Sequence, residues 1–75
     1  MLADDGQMRD VAITTDSIRL GQFLKLADMV EVGSDVKDLL AYGEVQVNGE
    51  DETRRGRQLV RGDVVRVSGS ELRVA

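Results

Sequence analysis

Apolar residues follow two different periods along this chain. Leu20, Phe23, Leu24 and Ala27 stand at i, i+3, i+4 and i+7, the stripe of a helix buried on one side. Asp16 or Ser17 is placed to cap its start. After the short connection Val30-Glu31-Val32-Gly33, the residues Val36, Leu39 and Leu40 repeat the helical spacing. Ser34 is in position to cap this second helix, Asp35 suits its first turn, and Gly43 stands where a left-handed terminator belongs. The pattern predicts helices over residues 20–29 and 34–42. Gly21 inside the first costs about 1 kcal/mol relative to alanine, so its presence needs a reason other than helix propensity.

After Gly43 the period becomes two. Val45 and Val47 alternate with Glu44 and Gln46, and Asn48-Gly49 is a strong hairpin signal. Glu50 to Thr53 returns from that turn. Leu59-Val60, Val64 to Val67 and Leu72 to Val74 supply further strands, separated by Arg61-Gly62-Asp63 and Ser68-Gly69-Ser70. The β-prone run Val11 to Thr14 is expected at the edge of the sheet. The expected fold class is therefore α+β: two N-terminal helices, a helix-turn-helix-like αα-hairpin, packed on a small antiparallel β-sheet. Phe23 and Leu40 should point inward, with Val45, Val47, Leu59, Val65 and Val67 filling the core. Tyr42 is expected half buried against the hairpin.

Seventy-five residues suffice for one small domain. Residues 1–10 are expected as a disordered acidic tail and 11–75 as the single folded domain. No apolar run is long enough for a membrane helix and none has the form of a signal peptide, so the expected location is cytoplasmic. The absence of cysteine and histidine removes disulfides, the usual zinc sites, thiol nucleophiles and imidazole acid–base chemistry. No motif places the carboxylates for catalysis, so neither an enzyme nor a cofactor is expected.

The formal net charge of −4 is unevenly spread: residues 1–17 carry −3, and residues 53–66 carry +4 from Arg54, Arg55, Arg57, Arg61 and Arg66 against Asp63. Such a run suits a solvated strand and turn or a phosphate-binding surface, and charge alone favours the first. A protein-binding adaptor with no direct nucleic-acid contact, its acidic face meeting a basic partner, is a further reading.

Longer motifs change the balance. Leu20-Gly21-Gln22-Phe23-Leu24-Lys25, then Gly33 with Lys37 and Leu39-Leu40, lead into Val45 and Val47-Asn48-Gly49-Glu50. Glu52-Thr53-Arg54-Arg55-Gly56-Arg57, Leu59 and Gly62-Asp63-Val64 follow. Over residues 18–67 this series resembles the S4 RNA-binding domain, in particular its small stand-alone bacterial members of the YaaA and YbcJ type. The chain departs from that subgroup at Ser34, where a second glycine is usual, and at Val36, where a small residue is usual. The resemblance implies the S4-domain (alpha-L) fold and non-enzymatic binding of structured RNA, ribosomal or transfer, through one basic face. It implies as partners the ribosome or a ribosomal precursor, with the protein a monomer and away from membranes. Carried over by position, it points to Lys25, Lys37, Arg54, Arg55 and Arg57, with Asn48 and Gly49 shaping the hairpin beside them and Arg19 preceding the first helix. Asp35 and Asp38, flanking Lys37, are expected to repel phosphate.

Overall fold

Strands hold more of the backbone than helices do. A computed structural model describes residues 8–30 and 33–75. In chain order the elements are β1 (Met8–Val11), β2 (Ser17–Arg19), α1 (Leu20–Leu26), α2 (Gly33–Ala41), β3 (Val45–Val47), β4 (Glu50–Asp51), β5 (Gln58–Val60), β6 (Val64–Val67) and β7 (Ser70–Val74). Five strands form one sheet in the order β1-β7-β6-β3-β4, and β2 pairs with β5 in a second sheet. The expected acidic tail lies outside the described residues up to residue 7, as do Glu31 and Val32 of the connection; residues 8–10 run in β1.

This architecture corrects the expected fold class. Two strands precede the helices, the larger sheet is mixed rather than antiparallel because β1 runs parallel to β7, and the helices are short insertions rather than an N-terminal hairpin laid on a sheet. The reason lies in pairings distant in sequence. Ser17-Ile18-Arg19 looks like the approach to a helix, but it pairs antiparallel with Val60, Leu59 and Gln58. That pairing holds Arg19 extended (φ −77°, ψ 147°) up to the helix start at Leu20, where the apolar spacing places it. Neither Asp16 nor Ser17 caps it. The Leu20 and Gly21 N–H groups donate instead to the Arg57 and Arg55 carbonyls at 2.8 and 2.9 Å.

Both helices end in the same way. The Met29 N–H reaches the Leu24 carbonyl and the Asp28 N–H the Lys25 carbonyl, with Asp28 left-handed at φ 61°. This Schellman closure stops α1 at Leu26, three residues before the apolar spacing predicts. Glu44 to Leu39 and Gly43 to Leu40 repeat it after α2, with Gly43 at φ 72° in the expected terminator position. Ser34, expected as a cap, falls inside α2.

One hydrophobic core joins the elements. Leu20, Phe23 and Leu24 of α1, Val36 and Leu40 of α2, and Val45, Val47, Leu59, Val65, Val67, Leu72 and Val74 of the strands are all buried. Val11 and Ile13 close one end. The β1 segment is held by main-chain bonds from Ile13 to Ala75 and from Ala75 to Val11, both 2.9 Å. Arg73 grips Asp10 across the β1–β7 pair with two contacts, and the Arg9 guanidinium donates to the Ala27 carbonyl beyond α1. Among the described residues no helix is long and apolar enough to cross a membrane.

Leu24 has no exposed surface, whereas Leu26 two residues on is half exposed. Leu24→Ala should lower unfolding free energy by about 2–5 kcal/mol, while Leu26→Ala should stay within about 0.5 kcal/mol of the parent. Urea unfolding of the two variants measures the contrast.

Candidate nucleic-acid interface

The segment from Glu52 to Arg57 connects β4 to β5 and organises the basic residues around it. Its anchor is the Glu52 carboxylate, only 6% exposed. One oxygen accepts the Thr53 and Arg54 N–H groups at 3.1 and 3.0 Å and the Arg54 Nε at 3.1 Å. The other accepts Arg57 Nη1 at 2.9 Å and Arg54 Nη2 at 3.3 Å. The Arg54 side chain, then Arg57, then the Arg54 N–H favour the ionised form against the opposing effect of burial. Together they lower the Glu52 pKa from 4.5 to about 2. A further bond from Arg57 N–H to the Arg54 carbonyl closes the turn. The carbonyls of Arg55 and Arg57 then receive the first amides of α1, so the loop is fastened on two sides.

This fastening separates the cations into two groups. Arg54 and Arg57 bind Glu52, Arg73 binds Asp10, and Arg9 and Arg61 donate to the Ala27 and Ile13 carbonyls. Among the described residues, Arg19, Lys25, Lys37, Arg55 and Arg66 make no side-chain hydrogen bond or ion pair. Four of these five meet. Arg19, Lys25 and Arg55 line a cleft of about 300 Å³ between α1, α2 and the loop. Arg55 also lines the neighbouring depression with Lys37, Leu40, Ala41 and Thr53. Arg66 lies elsewhere, beside Glu44 in a third depression. Asp35 and Asp38 line neither of the first two.

The residues expected from sequence thus divide. Arg19, Lys25, Lys37 and Arg55 are brought together with their charges unspent. Arg54 stays 74% exposed while bonded to Glu52, and Arg57 is mostly covered. Asn48 and Gly49 form the β3–β4 turn at φ 52° and 86°. The Asn48 amide faces β6, donating to Asp63 Oδ1 at 3.2 Å and accepting from Val64 N–H at 3.0 Å. Tyr42 is 77% exposed rather than half buried. It is the last residue before Gly43 redirects the chain, and the strands leave its ring uncovered.

Sequence reasoning overlooked Glu52, which reads as one more solvated acid after Glu50 and Asp51. It also overlooked Gln22 and Gly56, which line the first cleft. The signal available for that cleft was Gly21, an unfavourable helix residue that lies in its wall.

A family model described as the S4 domain matches residues 11–75. The chain is also 51% identical over 59 residues to the probable ribosome maturation protein RlbA of Bacillus subtilis strain 168, an alignment covering 79% of this chain and 83% of that protein.

The lowered Glu52 pKa links the loop to pH. A carboxyl depressed in the folded state contributes stability that is fully present above its unfolded value near 4.5 and is lost as pH falls toward 2. Glu52→Gln should therefore lower the urea midpoint at pH 7, and its difference from the parent should shrink as pH drops through that window. Urea midpoints of both proteins from pH 7 to pH 2 provide the check.

Proposed function

The chain belongs to the S4 domain family, and we propose on that premise that it is a non-enzymatic protein that binds structured RNA, acting as a monomer in the cytoplasm. The observation supporting this most is the convergence of Arg19, Lys25, Lys37 and Arg55, all without an acidic partner among the described residues, on two adjoining depressions. A net-acidic protein has little general attraction for nucleic acid, so a local concentration of unspent cations must supply it. Guanidinium and ammonium groups on a rigid frame suit the phosphates of a folded RNA, whose helices are met through shape and backbone. Arg54 extends the face from its rim. Arg57, with Asn48 and Gly49, contributes by holding the loop and hairpin in shape.

The name of the Bacillus subtilis relative concerns ribosome maturation, which makes ribosomal RNA in an assembling particle the favoured target. The 51% identity to that relative supports this choice over transfer RNA.

Salt titrations of binding to a structured ribosomal RNA fragment test the reading. Each lost phosphate contact should lower the slope of log K against log salt by about one. Arg55→Gln and Lys25→Gln should each show that loss, and Arg66→Gln should not, although all three change net charge equally. Equal slopes for all three would leave a diffuse attraction with no defined face. No salt-dependent binding by the parent would favour the protein-binding adaptor instead.

A further inference from the structure

Phosphate binding leaves part of the first cleft unexplained. Its rim carries Arg19, Lys25 and Arg55, but its wall includes the buried Val36, the backbone of Gly21 and the exposed amide of Gln22. Val36 is only 2% exposed and closes the cleft from behind, so the open surface between the cations is the Gly21 backbone and the Gln22 amide. The Gln22 amide presents both donor and acceptor capacity and makes no side-chain hydrogen bond among the described residues. Its volume of about 300 Å³ lies at the small end of the range for ligand pockets.

Gly21 supports a role for the open space. Its φ is outside the left-handed region that favours glycine. A Cβ there would meet the Arg55 carbonyl oxygen and Val36 Cγ1 at 3.5 Å and Arg55 Cβ at 3.6 Å, ordinary contacts. Neither backbone conformation nor a clash excludes alanine, the better helix former. A larger side chain would start in the seam between Val36 and Arg55, two residues of the cleft wall, and have to displace one of them or occupy the cleft beside them.

Building on the RNA-binding reading, we propose that this cleft receives one unpaired nucleotide of the RNA: its base seated on the Gly21 backbone, its edge read by Gln22, and its flanking phosphates held by Arg19, Lys25 and Arg55. A base within a regular A-form duplex cannot enter, because the bases are stacked inside and the major groove is too narrow for side chains to read. A bulged or looped nucleotide can be splayed into such a space, with a guanidinium plane available for stacking. The cleft thus selects RNA with a local irregularity, beyond the charge attraction of the whole face.

The test uses an RNA hairpin with one bulged nucleotide, prepared with each of the four bases, and the same hairpin fully paired. Parent, Gly21→Leu and Gln22→Ala proteins are titrated against each at several salt concentrations, with free nucleoside monophosphates as competitors. At least one bulged RNA should bind the parent about tenfold tighter than the paired control, the scale of one stacked or hydrogen-bonded base. Gly21→Leu and Gln22→Ala should each remove most of that advantage while leaving the salt slope unchanged. Gln22 is exposed, so its variant keeps the test valid if leucine at position 21 disturbs folding. Equal binding of bulged and paired RNA with a normal salt slope would overturn the cleft proposal and leave RNA binding standing. An advantage that survives Gln22→Ala would also overturn it. Competition by a free nucleotide at concentrations matching the RNA would assign the cleft to a small ligand and overturn the RNA source. Absence of salt-dependent binding to any RNA would remove both readings.

Discussion

A nearly covered carboxylate in a loop of a 75-residue chain needs compensation, because burying charge is costly unless hydrogen bonds replace the lost water. Glu52 has that compensation in five donor contacts, and the loop is shaped by supplying them. Two come from adjacent backbone amides, which fix the turn, and three from Arg54 and Arg57, which close over it. The same turn leaves the carbonyls of Arg55 and Arg57 facing the start of α1. Helix, loop and the β2–β5 pair are thereby tied at one place. The free cations collect around that place because their neighbours are used in making it.

Structural and binding arginines are therefore interleaved at single-residue spacing. Arg54 and Arg57 hold the loop and Arg55 between them faces outward into both depressions. This division bears on how basic runs are read in general. A cluster of arginines measures available charge only after the acids that claim some of it have been found. Here the claimant is two residues from the cluster, in a segment whose other acids, Glu50 and Asp51, are solvated.

Much of the core was legible because local periodicity governs it. The stripe of Leu20, Phe23 and Leu24 and the alternation of Val45 with Val47 placed these side chains inward, and the Asn48-Gly49 turn and Gly43 terminator rest on local backbone preference. The strand partners of Ser17–Arg19 and Met8–Val11 were not legible. They lie some forty and sixty residues away, at Gln58–Val60 and Glu71–Val74, and three or four residues carry too little pattern to reveal such pairings. In the candidate face, charge and motif indicated Arg19, Lys25, Lys37 and Arg55, whereas the engagement of Arg54 and Arg57 depends on side-chain geometry that spacing does not encode. Tyr42 shows a related limit. A lone aromatic beside a helix end and a hairpin suggests shelter, yet its exposure depends on how Gly43 turns the chain.

The parallel pairing of β1 with β7 joins Met8 to Glu71 and Val11 to Val74, so the first described strand finds its place only beside the last. Contacts of such sequence separation make large entropic demands before they give stability, and they slow folding relative to helical proteins of equal size. During synthesis the early strand must wait, its hydrogen-bonding edge unpaired, until β7 has left the ribosome. The five-stranded sheet is thus completed late, and β1 joins it only once the segment through Val74 is available.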